Sequence, residues 1–156
     1  MKSLDVCMCM FLLLSATGCT GPIGPLSGGK LGGESVPYPD NWDVAVSTEH
    51  VQLETLDKEG QAHSVNIWCV VHNQRMYFTT SLVRGEEDPQ SRRWVRYATD
   101  NNSARVRVDG LIYEGQLKRI EDVQLVSGVK EAFVAKYQTE IDDRNRNAWI
   151  FEFAET

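Results

Sequence analysis

Apolar and polar residues alternate along several short stretches of the chain, and this alternation predicts β-strands. Val51, Leu53 and Thr55 fall on one face of such a stretch, and the residues between them fall on the other, as the two-residue period of a strand requires. Further strands are predicted over residues 63–71, 76–80, 105–108, 111–113 and 149–153. The Asp-Gly pair between two of these runs tolerates the positive φ angles of a tight hairpin. The pattern therefore predicts about six strands.

Two stretches carry helical spacing instead. A short one is predicted around residue 95 and a second near residues 128–138. The apolar residues that define them are Trp94, Val95 and Ala98, and then Val129, Phe133 and Tyr137. The strands and helices do not alternate as they do in a parallel sheet. We therefore predict an α+β, mainly β domain, with an antiparallel barrel or meander of six strands and two short helices.

The first residues have the composition of an export signal. Lys2 is followed by an apolar run over residues 6–14, and small residues lead from Ser15 to Cys19. We predict a signal peptide over residues 1–18, which takes no part in the fold. Its end resembles the lipobox of bacterial lipoproteins, which implies that Cys19 carries lipid and anchors the chain to a membrane. The alternative is ordinary signal cleavage, which leaves Cys19 as a free thiol.

The resemblance to lipoproteins also implies a location and a domain organisation. Thr20, rather than Asp, follows the Cys, which favours the outer membrane of a bacterial cell envelope over the inner one, with the domain facing the periplasm or the exterior. Residues 20–39 contain six of the twelve glycines and four of the five prolines. We predict that residues 19–40 are a flexible tether of roughly 25 Å and that residues 41–156 form the folded domain.

Charge and cysteine content exclude several classes of function. Sixteen Lys and Arg against twenty-two Asp and Glu give a net charge of −6, which argues against nucleic acid as a partner. Once the signal is removed and Cys19 carries lipid, Cys69 is the remaining cysteine, and we expect a buried, inert thiol. His63 and Cys69 share a strand face but lie about 20 Å apart along it, so we predict no metal site.

The order of the elements resembles a known family. The stretches that carry the resemblance are HSVNIWCV at 63–70, MYFTTS at 76–81, RWVRY at 93–97, RVRVDG at 105–110 and KY at 136–137. They resemble the split β-barrel proteins related to pyridoxamine-phosphate oxidases and deazaflavin-dependent nitroreductases, and within them a poorly characterised branch. The resemblance covers roughly residues 44–155. It implies a six-stranded split β-barrel that is a homodimer, with flavin bound between the subunits.

One face of the second predicted strand has side chains that suit a flavin ring. Ser64, Asn66 and Trp68 share this face, and they offer edge hydrogen bonds and a flat partner. The alternative is a solvated strand face with a Trp at a barrel end. For the flavin phosphate, the resemblance implies hydroxyl and basic groups after the next strand. The candidates are Thr79, Thr80, Ser81, Arg92 and Arg93.

Two functional hypotheses follow, and the loop over residues 84–93 separates them. Its arginines favour a phosphate site, whereas Glu86, Glu87 and Asp88 would repel a dianion. The first hypothesis is a membrane-tethered protein that binds FMN or a deazaflavin and acts as an oxidoreductase on a small molecule. The second is a binding or scaffolding lipoprotein whose barrel has lost its cofactor. Neither assigns a catalytic residue.

Overall fold

A computed structural model of the chain describes residues 21–80, 88–139 and 147–156. Six of its seven strands close into a β-barrel. The strands are β1 (Glu34–Val36), β2 (His50–Leu56), β3 (Ala62–His72), β4 (Arg75–Thr79), β5 (Ser103–Val108), β6 (Leu111–Ile120) and β7 (Ile150–Ala154). The helices are α1 (Arg93–Asp100) and α2 (Val123–Tyr137), with 3₁₀ turns at Asp43–Ala45 and Pro89–Ser91. The predicted mainly β fold with a six-stranded antiparallel barrel and two helices is confirmed.

The barrel is closed by one long, shared strand. The strand order is β6-β5-β2-β3-β4-β7, and β6 pairs again with β7. Residues 111–116 of β6 pair with β5, whereas residues 116–120 pair with β7. All six of these pairings are antiparallel, and β1 lies parallel to the first residues of β6 as an additional strand. The sequence pattern did not predict β1, which falls within the segment that we expected to be a tether.

Two tight hairpins set the register of neighbouring strands. Asp109 and Gly110, with φ angles of 48° and 86°, connect β5 to β6, as the Asp-Gly pair predicts. Asn73 and Gln74, with φ angles of 49° and 66°, connect β3 to β4. In each case two consecutive residues with positive φ give the twist that two-residue hairpins require.

The inward faces of the strands form the main hydrophobic core. The alternation in β2 is confirmed, because Val51, Leu53 and Thr55 are buried, and in β3 Ile67 and Cys69 face the same interior. The first helix seals this core with the three residues that the sequence predicts, Trp94, Val95 and Ala98. Trp42 is also buried, and its ring makes edge-to-face contacts with three other aromatic rings: Tyr38, Tyr113 and Phe153.

The second helix packs on the outside of the barrel. It begins at Val123, five residues earlier than predicted, because Asp122 caps it by accepting a hydrogen bond from the Leu125 amide. Val129 and Phe133 are buried in a second core against the outer face of the barrel. The barrel residues of this core are Val70, Tyr77 and Ile150. No helix in the described parts of the chain is long and apolar enough to cross a membrane.

The Gly- and Pro-rich segment lies on the barrel from Gly21 onward instead of extending away from it. We call residues 21–33 the strap. It pairs through Gly28 with the edge of β3 at Ser64 and then crosses the outer faces of β2 and β5 before it enters β1. Its amide and carbonyl groups form hydrogen bonds with polar groups on those strands. Apolar periodicity carries no signal for such contacts. The predicted signal peptide and Cys19 lie outside the described residues.

Candidate functional site

The outer face of β3 with Ser64, Asn66 and Trp68, which we call the wall, is where the sequence places a flavin ring. The strap covers part of this wall. Ser64 and Gly28 exchange two backbone hydrogen bonds, of 2.8 and 2.9 Å, as two paired strand residues do. The Ser64 hydroxyl donates a third hydrogen bond of 2.7 Å to the carbonyl of Gly29. Ser64 is therefore fully buried, and its hydroxyl already has a partner within the chain.

Asn66, two residues along the same face, also contacts the strap. Its side-chain amide donates to the carbonyl of Gly24 at 2.9 Å. Asn66 and Ser64 do share one face of β3, as the period of two predicts. In the described structure, both side chains therefore already donate hydrogen bonds to carbonyls of the strap, those of Gly29 and Gly24.

A buried ion pair fixes the next part of the strap. Both carboxylate oxygens of Glu54 lie 3.1 Å from Nη1 of Arg105, across the β2–β5 pair. The same carboxylate accepts the backbone amide of Leu31, and Arg107 donates to the carbonyl of Gly32 at 2.7 Å. Glu54 is buried although it faces outward. Opposite charges at facing outward positions of two strands are the sequence signal that points to this pair.

The strap begins with a tight hairpin whose two arms meet at Gly21 and Gly28, where a side chain would not fit. Ile23 and Leu26 exchange two backbone hydrogen bonds, of 3.2 and 3.0 Å. This brings Gly28 so close to Gly21 that a Cβ atom on Gly28 would lie 2.4 Å from the Gly21 carbonyl carbon. A larger residue at position 28 would separate the two arms of the hairpin.

Trp68 completes the predicted face, but its ring already has a flat partner. It stacks on Tyr137 at the end of α2, with 4.3 Å between ring centroids and 7° between planes. The indole N–H donates to His50 Nε2 at 2.9 Å. The Tyr137 hydroxyl contacts the main chain of Cys69 and of Glu49, and burial raises the pKa of this phenol. Trp68 remains 40% exposed.

The structure places the two threonines that are predicted to bind phosphate at the end of β4, next to β7. Thr79 pairs with Ile150 of β7. Thr80 is fully buried, and its Oγ1 accepts the Trp149 amide at 2.9 Å. Ser81 lies outside the described residues. The two threonines therefore stand at the β4–β7 junction and are not part of the groove that contains Arg92 and Arg93.

Arg92 and Arg93 line a groove between α1, β3 and the strap, which we call the arginine groove. Its volume is about 280 Å³. Arg92 occupies the N-cap position of α1, and the Arg93 guanidinium lies 3.3 Å from the Ser27 hydroxyl of the strap. The remaining lining residues are Pro25, Leu26, Ser27, His63, Val65, Trp94 and Tyr97. Sequence reasoning found the two arginines but not the strap, His63 or Tyr97 as their neighbours.

His63 gives the arginine groove a polar, aromatic wall. Its ring lies 4.9 Å from that of Tyr97, and its Nε2 is 2.7 Å from the Asp57 carboxylate. The hydrogen bond with His63 is the main cause that lowers the pKa of Asp57. Among the residues that the structure describes, no three His, Cys, Asp or Glu side chains are grouped as metal ligands.

Cys69 is buried in the barrel, as the sequence predicts. Burial raises the pKa of its thiol to about 11. The thiolate, which is the reactive form, is therefore scarce at neutral pH.

A family model matches residues 43–156, which is most of the chain. The chain belongs to the family DUF2255. This family is described as uncharacterized protein conserved in bacteria. No curated protein matches the sequence.

Solved structures with the same fold are pyridoxamine-phosphate oxidase-like split-barrel proteins. The heme storage protein HutZ from Vibrio cholerae is similar with a TM-score of 0.55 and 14% identity, over 69% of this chain and 82% of that one. An F420 reductase has a TM-score of 0.55 and 15% identity, over 76% and 96%. A Listeria innocua protein assigned as a pyridoxamine 5′-phosphate oxidase has a TM-score of 0.50 and 13% identity, over 68% and 82%. At these identities the likeness establishes the fold.

Proposed function

We propose that this DUF2255 member is a membrane-tethered binding protein that holds a small, phosphate-bearing ligand in the arginine groove. The observation that carries the proposal is the position of Arg92 and Arg93 at the first turn of α1, inside a concave site. Guanidinium groups present several donors in a planar fork that matches phosphate oxygens. The backbone N–H groups at the start of a helix add further donors and a favourable dipole.

The other walls of the groove suit a ligand with a ring next to its phosphate. Trp94, Tyr97 and His63 supply flat surfaces, and Val65 and Leu26 supply apolar ones. A volume of about 280 Å³ lies at the lower end of the range for small-molecule sites. The groove therefore suits the phosphate end of a nucleotide-like ligand better than a complete flavin nucleotide.

The side chains that are predicted to bind a flavin ring have partners within the chain. Ser64 and Asn66 are bonded to Gly29 and Gly24 of the same chain, and Trp68 already stacks on Tyr137. FMN and the deazaflavin F420 remain the first compounds to test, because the split-barrel neighbours include an F420 reductase. An oxidoreductase activity on a small molecule would depend on such binding.

The tether is proposed from the sequence. Cys19 follows an apolar run and a series of small residues, which supports lipid modification and a location in the bacterial cell envelope, with the outer membrane favoured. A homodimer is proposed from the resemblance to split-barrel proteins. The half-exposed Trp68 and the exposed Val44 and Val46 are apolar side chains that a second copy would cover.

A second function, a scaffolding lipoprotein without a cofactor, is favoured by one observation. The strap satisfies the polar groups of the wall with the chain's own backbone. In this case the barrel presents surfaces to partners and the arginine groove binds no nucleotide. The two functions differ in whether a phosphate compound binds at Arg92 and Arg93.

Titration with a matched pair of ligands tests the proposal. FMN and riboflavin differ only in the phosphate, and Trp94 in the groove provides a fluorescence signal. We expect FMN to quench tryptophan fluorescence at micromolar concentrations and to bind more than about tenfold more tightly than riboflavin. Absence of quenching by FMN and F420 at high micromolar concentration would support the scaffold instead.

Substitution of the arginines locates the site. The double variant Arg92→Ala, Arg93→Ala is expected to weaken FMN binding by more than about tenfold. Arg119→Ala is the matched control, because Arg119 lies over the Trp149 ring outside the groove. Equal affinity of the double variant and the control for FMN would remove the arginine groove as the phosphate site.

A further inference from the structure

The strap hairpin presents two apolar side chains to solvent at its turn. Ile23 is 66% exposed and Leu26 is 69% exposed, although both are large and apolar. The residues between them are Gly24 and Pro25, so the four residues of the turn carry no charge. An uncharged turn that projects two large aliphatic side chains has the character of a short membrane-inserting loop.

The position of this turn in the chain indicates which surface it meets. Cys19 precedes Gly21 by two residues, and an extended chain spans at most about 3.6 Å per residue. A lipid on Cys19 would therefore hold Gly21 within about 7 Å, and Ile23 within about 14 Å, of the anchor point along the chain. The strap is itself bonded to β2, β3 and β5, so the barrel has little freedom to move away from that anchor.

The charges at the base of the hairpin complement a phospholipid surface. The Arg93 guanidinium lies against Ser27, and that of Arg107 bonds to Gly32 and lies close to Gly21. Lys30 is exposed on the same strap. Although the whole chain carries a net charge of −6, Arg93 and Arg107 lie against the two arms of the hairpin, where lipid phosphates would lie after the turn enters the headgroup region.

We propose that Ile23 and Leu26 insert into the membrane that holds the lipid anchor and fix the barrel on the bilayer by its strap face. This inference rests on the proposed tether at Cys19. The lipid supplies most of the attachment, and the hairpin determines the orientation. In this orientation the arginine groove, which includes Leu26 and Ser27 of the same hairpin, opens next to the headgroups.

Site-specific labelling of the full, lipidated chain in vesicles tests the orientation. A polarity-sensitive fluorophore is attached at Leu26→Cys, and at Val123→Cys as a matched control, because Val123 is apolar and 81% exposed at the start of α2. Burial protects Cys69 from the label. With vesicles of phosphatidylethanolamine and phosphatidylglycerol, we expect a blue-shifted emission at position 26 and at least about threefold stronger quenching by spin-labelled lipid than at position 123.

The outcomes separate the hairpin from the anchor. Equal quenching at positions 26 and 123 would overturn the orientation. If the Cys19→Ser variant were also released from membranes, the two results together would support the lipid anchor and contradict only the hairpin proposal.

The chain that begins at Thr20 tests the hairpin without any lipid, since all core residues lie between Leu31 and Ala154. Ile23→Asp with Leu26→Asp is expected to lower its partitioning onto the same vesicles by more than about tenfold. Val123→Asp with Gln124→Asp, at two exposed positions at the start of α2, adds the same charge and serves as control. No difference between the two double variants would contradict the proposal.

Discussion

The inner and outer faces of β2, β3 and β5 are both covered, but by different kinds of contact. Inside the barrel, Val51, Leu53 and Val106 pack with other apolar side chains. Outside, Glu54, Ser64 and their neighbours are covered by the backbone of the strap. The inner face is stabilised by area removed from water, whereas the outer one depends on hydrogen bonds and one ion pair. The comparison shows that burial of a strand face does not require an apolar face.

Truncation inside the barrel is expected to have the largest effect. Phe78→Ala removes a fully buried ring from the main core and should lower the free energy of unfolding by about 3–5 kcal/mol. Urea unfolding followed by tryptophan fluorescence measures the change. A loss below about 1 kcal/mol would mean that the interior is not close-packed.

Removal of the charge beneath the strap is expected to have an intermediate effect. Glu54→Gln keeps the side-chain shape but replaces the carboxylate that bonds Arg105 and the Leu31 amide. We expect a loss of about 1–3 kcal/mol in the free energy of unfolding. Faster proteolysis within residues 21–33 should accompany it. Glu114→Gln, an exposed carboxylate beside the same arginine, is the control and should change stability by less than about 1 kcal/mol.

The Ser64 hydroxyl is expected to contribute less to the free energy of unfolding. Ser64→Ala deletes the hydrogen bond to the Gly29 carbonyl and leaves the two backbone bonds to Gly28. The expected loss is about 0.5–1.5 kcal/mol, measured by the same unfolding experiment. A gain in flavin affinity in this variant would instead indicate that the strap competes with the ligand for the wall.

The smallest expected effect on stability is pH-dependent and comes from the hydrogen bond between Asp57 and His63. The hydrogen bond with His63 lowers the pKa of Asp57 in the folded chain. The folded carboxyl therefore binds its proton less readily than the unfolded one, so this stabilisation is present above the unfolded pKa of about 4 and disappears as pH falls through the folded pKa. Asp57→Asn should be slightly less stable than the natural chain at pH 7. The difference between the two should shrink as the pH falls from the unfolded pKa through the folded pKa, and a constant difference across this range would exclude the linkage.

Sequence patterns predict the inner face of the barrel because apolar alternation records it directly. Helical spacing predicts in the same way the residues that the first helix packs against the core, Trp94, Val95 and Ala98. The Asp109-Gly110 hairpin follows from backbone sterics. Such features depend on side chains and local geometry, and both are visible in the order of residues.

The strap and the arrangement of the candidate site were not predictable by the same reasoning. Glycine and proline carry no periodic signal, so residues 21–33 have the composition of a linker although their carbonyl and amide groups bond to Ser64 and Glu54. Arg92 and Arg93 were found as basic residues, but their neighbours His63 and Leu26 come from distant parts of the chain. The structure places Thr80 next to Trp149, whose amide its hydroxyl accepts, and not among the residues that line the groove with the arginines.

Hydrogen exchange at a single amide tests the central claim, which is that the strap is part of the folded domain and covers the β3 wall. The Gly28 amide donates to the Ser64 carbonyl at 2.8 Å, so its protection reports on the attachment of the strap to β3. We expect this amide to exchange at least about a hundredfold more slowly than in an unfolded chain. Exchange at the unfolded rate, with the Ile67 amide still protected, would show that residues 21–33 are a free tether and that the wall is open to ligand.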